Sequence, residues 1–213
     1  MNLIEQFKNK VTIYPVTCSE LSLGRSNEQV LREIIKGGAG VIQHREKKLS
    51  KKDFYKEAIV LREIAKQNNV LFIVNDYVDV AIAVDADGVH LGQDDLPCKV
   101  ARQLFGKDKI IGVSTHNMEE ALKAEADGAS YINIGPVFKT LTKQNKYEPL
   151  GIETVEKIKN KINIPFTVMG GINMNNMKEL ITIGAKRIAV VSAIVSAKDI
   201  SLAVREFKTG IDI

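Results

Sequence analysis

The sequence predicts a single (β/α)8 barrel, and three observations support that fold class. Eight short runs rich in valine and isoleucine alternate with eight longer amphipathic stretches along the 213 residues. Three of the amphipathic stretches end in glycine directly before the next apolar run, at Gly37-Gly38, Gly128 and Gly184. No linker or shift in composition divides the chain, and its length suits one barrel. We therefore expect one domain covering residues 1–213.

The alternation assigns each part of the chain to a strand or a helix. The predicted strands span residues 11–16, 40–45, 70–74, 87–91, 109–114, 130–134, 165–169 and 187–191. The predicted helices span residues 26–37, 50–67, 76–84, 97–105, 117–127, 151–160, 174–182 and 199–208. Ser50 and Asn117 are expected to cap the helices that follow them. An open doubly wound sheet is the competing architecture, but it ordinarily has fewer strands.

The composition predicts a cytoplasmic globular protein. Hydrophobic residues make up 45% of the chain and charged residues 26%, which suits a sizeable core under a charged surface. No apolar run reaches the ~18 residues of a membrane-spanning helix, and Met1 to Phe7 lacks a signal-peptide pattern. Cys18 and Cys98 stand alone, so we expect neither a disulfide framework nor a cysteine metal site.

The mild net charge of +4 favours phosphorylated small molecules over nucleic acid as partners. The densest basic cluster runs only from Arg45 to Lys52, and tryptophan is absent. A nucleic-acid surface ordinarily needs a longer basic stripe with aromatic side chains for stacking. The solvated start of a helix is the alternative explanation for Lys51 and Lys52.

In such barrels the active site lies at the carboxyl ends of the strands, and the segment after the second predicted strand is the most informative. Because side chains alternate along a strand, Gln43, Arg45 and Lys47 share the face on which Val41 sits. An amide, a guanidinium and an ammonium on one face form a poor core. The segment therefore predicts an anion site.

His44 and Glu46 fall on the alternate face of the same segment. We expect them to point toward the helices, so that alanine at either position costs stability before activity. A strand that simply ends at Ile42 and continues as a solvated loop is the alternative.

Carboxylates follow the third and fourth predicted strands. Asn75-Asp76 comes after one strand, and Asp95 follows the next. Beside a basic wall, two carboxylates suit Mg²⁺ held jointly with substrate phosphates, although each could also be a plain helix cap. His90 has no cysteine or second histidine at ligand spacing. We therefore expect it to be a barrel residue whose ring nitrogens are hydrogen-bonded within the protein.

Hydroxyl groups follow the fifth and sixth predicted strands. Ser114 offers one, but a nucleophilic pair with His116 is not favoured, since no nucleophile-elbow motif is present. The long connection 135–151 carries Thr140, Thr142 and Lys143, two hydroxyls and a cation suited to phosphate. An ordinary polar loop is the alternative.

Backbone amides are the expected ligands after the last two strands. Gly170-Gly171 follows the seventh strand and Val191-Ser192 the eighth, where these barrels commonly bind phosphate through N–H groups. Gly171 permits close approach and Ser192 adds a hydroxyl. The strand ends together predict two anion sites.

Taken in order, these motifs resemble the thiamine-phosphate synthase family over nearly the whole chain. The matching segments are Gln43-His44-Arg45-Glu46-Lys47, Asn75-Asp76, Asp87-Gly88-Val89-His90-Leu91-Gly92-Gln93-Asp94-Asp95, Gly112-Val113-Ser114-Thr115-His116, Gly135-Pro136-Val137-Phe138-Lys139-Thr140-Leu141-Thr142-Lys143, Gly170-Gly171-Ile172 and Val191-Ser192-Ala193-Ile194. As a set they are far more specific than any one of them.

The resemblance implies a transferase that joins two phosphorylated halves of thiamine. The diphosphate of 4-amino-2-methyl-5-(diphosphooxymethyl)pyrimidine would leave, and the nitrogen of 4-methyl-5-(2-phosphooxyethyl)thiazole would capture the methylene carbon. An electron-rich aminopyrimidine can stabilise the intervening cation, so no protein nucleophile is required. The expected products are thiamine monophosphate and pyrophosphate, with one Mg²⁺ per subunit as cofactor.

The resemblance also implies a role for each site residue. Arg45, Lys47 and Lys143 would be catalytic, since they would stabilise the departing diphosphate. Asp76 and Asp95 would bind Mg²⁺. The expected substrate-binding residues are Gln43, Arg45, Lys47, Asn75, Ser114, Thr140, Thr142, Lys143, Gly171, Val191 and Ser192.

Three positions depart from the commoner family pattern, namely Cys18, Tyr77 and Asn133. A related thiazole tautomerase and a non-catalytic phosphate-binding barrel are the competing functions. A tautomerase has no diphosphate leaving group to neutralise, so the presence of Asp76 and Asp95 together with Gln43, Arg45 and Lys47 argues against it. We expect neither nucleic acid nor a membrane as a partner, and homo-oligomerisation is left open.

Overall fold

A computed structural model describes residues 2–140 and 147–211 of the chain and shows a barrel of eight parallel strands. The strands are β1 (Ile13–Pro15), β2 (Val41–His44), β3 (Leu71–Asn75), β4 (Gly88–Leu91), β5 (Ile110–Thr115), β6 (Tyr131–Ile134), β7 (Phe166–Val168) and β8 (Ile188–Val190). They pair in the order β1-β8-β7-β6-β5-β4-β3-β2. A single bridge between Val16 and Gln43 joins the two ends and closes the barrel. The predicted fold class is confirmed.

Helices connect the strands on the outside. They are α1 (Leu3–Lys10), α2 (Asn27–Lys36), α3 (Lys51–Gln67), α4 (Val78–Ala83), α5 (Cys98–Phe105), α6 (Met118–Ala126), α7 (Gly151–Lys159), α8 (Met177–Thr182), α9 (Ser192–Val195) and α10 (Ile200–Ile211), with a 3-10 turn at Ser19–Leu21. Within the described ranges, none of these helices is both long and apolar enough to cross a bilayer.

Every predicted strand and helix is present, and local capping explains several boundaries. The Ser50 hydroxyl accepts the Asp53 N–H at 3.1 Å, and the Asn117 side chain accepts the Glu120 N–H at 2.9 Å. Each bond satisfies a donor that the first turn of a helix leaves unpaired. Both predicted caps are therefore confirmed.

Helices α1 and α9 and the 3-10 turn were not among the predicted elements. The Asn2 side chain starts α1 by accepting the Glu5 N–H at 2.8 Å, a capping signal that the short N-terminal segment does contain. Helix α9 spans only four residues, directly after β8, which is too short for a periodic pattern to show.

The core has two parts, one between the sheet and the helices and a smaller one inside the barrel. The barrel interior is filled by Phe7, Val11, Tyr14, Val41, Leu71, Ile73, Ile110, Tyr131 and Ala189. Phe7 of α1 stacks on the Tyr131 ring with centroids 4.4 Å apart and lies edge-on to the Tyr14 ring at 6.0 Å. The lower half of the barrel is therefore solid, and the space for a site lies above it, at the carboxyl ends of the strands.

Candidate active site

The side chains of β2 point alternately into the barrel and toward the helices, as the sequence predicts. Val41 packs in the barrel interior, and the buried Gln43 amide donates from Nε2 to the Tyr14 hydroxyl at 3.1 Å. His44 faces outward and stacks on Phe54 of α3 with ring centroids 4.2 Å apart. The expectation that His44 points toward the helices is confirmed.

The chain beyond β2 is held in place, so it is not the solvated loop of the alternative interpretation. Glu46 is buried, and its carboxylate accepts the Ser19 N–H at 2.8 Å and the Ser19 hydroxyl at 2.5 Å. The Arg45 N–H donates to the Thr17 hydroxyl at 2.8 Å. These bonds tie the segment to the connection after β1. The Lys47 ammonium is thereby positioned to pair with the Asp76 carboxylate.

Burial keeps His44 neutral, and this makes stability depend on pH. Burial lowers the His44 pKa from its ordinary value of 6.5 to about 3. Its Nε2 lies 3.4 Å from a Glu57 carboxylate oxygen but makes no hydrogen bond there, and burial also raises the pKa of Glu57. On unfolding His44 recovers the ordinary pKa and takes up a proton. Its contribution is therefore complete above pH 6.5 and is lost as the pH falls toward 3.

We expect His44→Phe to remove this dependence. Between pH 7 and pH 5 the free energy of unfolding of the wild type should fall by about 2 kcal/mol more than that of the variant. Urea denaturation at the two pH values measures the difference. Turnover of folded His44→Phe at pH 7 should stay near the wild-type rate, since His44 faces away from the barrel mouth. Equal pH dependence of the two proteins would show that His44 is not the titrating group.

Two carboxylates come together at the ends of β3 and β4, as predicted. Asp76 follows β3, where its N–H donates to the His90 carbonyl at 2.8 Å, and its φ is +64°. Asp95 accepts the Gly92 N–H at 2.6 Å. Burial raises the Asp95 pKa, and the adjacent Asp76 carboxyl raises it further. The two side chains therefore share one negatively charged site, with Lys47 as a counter-ion.

Neither carboxylate is a helix cap, which was the competing explanation. The cap residues of α4 and α5 are Tyr77 and Pro97, and neither helix has a side-chain cap hydrogen bond. Asn75 ends β3, and its amide donates to the His90 carbonyl at 3.4 Å. None of these three polar residues is therefore used to cap a helix.

The carboxylate pair fits a hard divalent cation. Within the part of the chain that the structure describes, no cluster of three or more histidine, cysteine or acidic side chains could cage a metal ion. Mg²⁺ is ordinarily held by one or two carboxylates together with substrate phosphates and water. Asp76 and Asp95 supply that number, and the adjacent Asp76 carboxyl that raises the Asp95 pKa would favour a cation at this site.

Ser114 and His116 are engaged with different partners. His90 on β4 is buried, and its Nε2 lies 2.9 Å from the Ser114 hydroxyl. His116 instead hydrogen-bonds through Nδ1 to Glu120 at 2.8 Å, and its ring stacks on Tyr147 at 3.6 Å. A Ser114–His116 nucleophilic pair is therefore absent, as expected. Both ring nitrogens of His90 have hydrogen-bond partners within the barrel, as the sequence predicts.

The connection after β6 begins alongside the loop after β7. The Val137 and Phe138 N–H groups donate to the Met169 and Gly170 carbonyls at 2.9 and 3.0 Å. Thr140 follows within two residues. Thr142 and Lys143, to which the sequence assigns a hydroxyl and a cation, lie outside the residues that the structure describes.

Gly171 makes room for this connection. It has φ +64°, and a Cβ there would lie within 3.0 Å of the Lys139 carbonyl oxygen and Phe138 Cβ. The space beside Gly171 is thus filled by the chain itself. Val191 precedes α9 and Ser192 begins it, which is the short extra helix that often supplies a phosphate site in this fold. Arg25 supports α9 from the other end by donating to the Val195 carbonyl at 2.7 Å.

Tyr14 and Tyr131 are buried residues beneath the predicted site, and neither was among the predicted site residues. Their hydroxyls meet at 2.8 Å, and the Tyr131 hydroxyl lies 2.9 Å from His90 Nδ1. They connect Gln43 with His90 and so with Ser114. The sequence signal that could have identified them is a tyrosine on the inward face of a predicted strand, directly below the predicted site residues.

The positions that depart from the family pattern have ordinary contacts. The Tyr77 ring lies edge-on to Phe54 at 5.1 Å, with the Lys51 ammonium 5.0 Å from the ring centroid. Asn133 accepts the Thr167 hydroxyl at 2.7 Å, and Cys18 is buried. None of them displaces a predicted site residue.

The fold and the grouped side chains define a (β/α)8-barrel enzyme in which Lys47, Asp76 and Asp95 come together at the carboxyl ends of the strands. A family model described as thiamine monophosphate synthase matches residues 13–194. The chain belongs to this family. The predicted family and the predicted transferase class are therefore confirmed.

Individual relatives support the assignment over nearly full length. The chain is 46% identical over 201 residues to a thiamine-phosphate synthase from Chloroflexus aurantiacus, covering 94% of this chain and 93% of the relative. It is 47% identical over 196 residues to one from Pelotomaculum thermopropionicum, covering 92% and 90%. Among solved structures, thiamine phosphate pyrophosphorylase from Pyrococcus furiosus superposes with a TM-score of 0.89 at 37% identity, covering 97% and 98%. A 3-hexulose-6-phosphate synthase, at 16% identity and a TM-score of 0.67, shares the fold.

Proposed function

We propose that this chain condenses 4-amino-2-methyl-5-(diphosphooxymethyl)pyrimidine with 4-methyl-5-(2-phosphooxyethyl)thiazole to give thiamine monophosphate and pyrophosphate. The observation that carries the proposal is the cluster of Lys47, Asp76 and Asp95 at the barrel mouth. Two carboxylates and a cation suit a diphosphate leaving group, and Gln43 and Ser114 lie at ends of strands around the same mouth.

The reaction breaks one bond and forms one. The C–O bond between the pyrimidine methylene and the diphosphate breaks with both electrons leaving on oxygen. The thiazole nitrogen lone pair then forms the new C–N bond to the methylene cation. The aminopyrimidine ring stabilises that cation, so the protein needs no nucleophile. In agreement with this, Ser114 and His116 bond to different partners and not to each other. Positioning and charge stabilisation remain for the protein to supply.

Cations of the chain would stabilise the departing diphosphate. Arg45 and Lys47 follow β2 at the mouth, and Lys143 would add a third charge from the connection after β6. Asp76 and Asp95 would hold Mg²⁺, which when bound would neutralise charge on the diphosphate oxygens. Lys47 pairs with Asp76 in the structure, which places its ammonium beside the carboxylates where the diphosphate would bind.

The remaining site residues would orient the two substrates. Gln43, Asn75 and Ser114 would hold the pyrimidine half, and Thr140 and Thr142 would contact the thiazole phosphate. Backbone N–H groups at Gly171, Val191 and Ser192, with the Ser192 hydroxyl, would form the second phosphate site. We place the activity in the cytoplasm, where buried free thiols such as Cys18 and Cys98 stay reduced.

Pyrophosphate release with both substrates tests the proposal. We expect release when both substrates and Mg²⁺ are present, and little release when either substrate or the metal is omitted. Each single-substrate reaction serves as the control for simple hydrolysis. Isomerisation of a thiazole carboxylate phosphate without pyrophosphate would favour the tautomerase function, and binding of both substrates without turnover would favour a phosphate sensor.

A further inference from the structure

Four hydrogen bonds form a continuous chain through the barrel interior, from Gln43 on one wall to Ser114 on another. Gln43 Nε2 bonds to the Tyr14 hydroxyl at 3.1 Å, and the Tyr14 and Tyr131 hydroxyls meet at 2.8 Å. The Tyr131 hydroxyl bonds to His90 Nδ1 at 2.9 Å, and His90 Nε2 bonds to the Ser114 hydroxyl at 2.9 Å. The two ends of this chain are residues assigned to the pyrimidine substrate.

The middle of the chain is sealed from water. The side chains of Gln43, Tyr14, Tyr131 and His90 are all buried, and Phe7 stacks beneath Tyr131. Burial raises the pKa of both tyrosines, so each hydroxyl keeps its proton. Each phenol therefore has one proton to donate, and an unused donor in this interior would be costly.

These constraints give the chain one direction. The Gln43 amide is turned with Nε2 toward Tyr14, so the Tyr14 oxygen accepts and its proton goes to Tyr131. The Tyr131 proton then goes to His90 Nδ1, which leaves the His90 proton on Nε2, facing Ser114. In the reverse direction Tyr14 would accept twice, and its own proton would have no partner among the described residues.

We infer that this series of hydrogen bonds decides which site groups donate and which accept hydrogen bonds from the substrate. Within it, Tyr131 is the positioning residue that favours the Nε2–H tautomer of His90. Because Ser114 accepts from His90, its own proton is left to donate into the mouth. Because Gln43 donates to Tyr14, its carbonyl oxygen is left to accept. The inference rests on the proposed function for the nature of the ligand.

This polarity suits an aminopyrimidine. An exocyclic amino group is a donor and the neighbouring ring nitrogen an acceptor, which complements an amide oxygen and a serine hydroxyl. The 4-oxo analogue presents an acceptor and a ring N–H instead. We therefore expect the site to discriminate against the 4-oxo analogue by about a hundredfold in kcat/KM, and we expect Tyr131→Phe to lose about tenfold of that ratio.

The tautomer of His90 can be measured in the free protein by NMR of the imidazole nitrogens. The chain has only three histidines, and His44→Phe and His116→Asn assign the other two. We expect His90 to be protonated on Nε2 in the wild type. In Tyr131→Phe the Nδ1 nitrogen loses the donor that favours Nε2–H, so the preference for that tautomer should weaken: we expect a detectable Nδ1–H population and a fall in kcat of about tenfold.

Tyr14→Phe is the matched control, since it removes an equally buried phenol hydroxyl from the same chain. Tyr131 can still donate to His90 in this variant, so the Nε2–H tautomer should persist. A proton on Nδ1 in the wild type, or a tautomer ratio in Tyr131→Phe equal to that of the wild type, would overturn the inference. The wild-type spectrum tests the polarity even if Tyr131→Phe folds poorly. Because it needs no substrate, its outcome is separate from that of the pyrophosphate assay.

Discussion

Replacing Asp76 by asparagine should lower pyrophosphate release by at least about a hundredfold at physiological Mg²⁺ while the fold stays intact. The variant removes one of two carboxylates that share the site, and it leaves Lys47 without its partner. Steady-state rates over a range of Mg²⁺ concentrations measure the effect. Partial recovery at high Mg²⁺ is expected, since Asp95 would remain as the second proposed ligand.

Asparagine is the preferred substitution because Asp76 has φ +64°. Asparagine tolerates this conformation, whereas alanine, which should also abolish turnover, adds about 1 kcal/mol of backbone strain. Asp79→Asn is the matched control. Asp79 lies three residues away, is exposed and pairs only with Lys51 among the described residues, at 3.1 Å. Near-normal turnover in Asp76→Asn would rule out the two-carboxylate metal site.

Gly112→Ala should reduce the free energy of unfolding by about 3 kcal/mol or more, because the barrel interior has no room for a side chain there. Gly112 lies opposite Tyr131 in the register of β5 and β6. A Cβ would come closer than 3.0 Å to three atoms of the Tyr131 phenol, which is fully buried and held by Phe7 and His90. Urea denaturation of the wild type and the variant measures the loss.

Gly210→Ala separates this effect from the general cost of adding a methyl group. A Cβ at Gly210 would also come closer than 3.0 Å to another atom, but that atom is the terminal methyl of Met177, which can rotate away. Since alanine also favours a helix over glycine, this control should change stability by less than about 1 kcal/mol. Similar losses in the two variants would contradict the packing explanation.

The sequence predicts the fold and much of the site because both follow from local periodicity. Alternation places Gln43 inward and His44 outward, and the structure agrees. Strand ends place Asp76 and Asp95 at one mouth. Sequence alone could not decide whether these carboxylates cap helices, since that depends on where α4 and α5 begin.

Contacts distant in sequence account for what the sequence could not predict. Tyr14 and Tyr131 are 117 residues apart, and only closure of the barrel brings their hydroxyls together. Gly171 is predicted to bind phosphate through its backbone, and the structure shows in addition that its missing side chain makes room for residues 138 and 139. A glycine at such a position indicates that another group approaches closely, but the sequence does not identify that group.

Helix α1 closes the end of the barrel opposite the carboxyl ends of the strands, and this closure affects how substrates and products can move. With Phe7 packed beneath the two tyrosines, the barrel axis is closed at that end. Substrates that bind at the proposed site must therefore enter, and products leave, through the opposite end. We expect a bound product to block the next substrate there, so that product release contributes to the interval between turnovers.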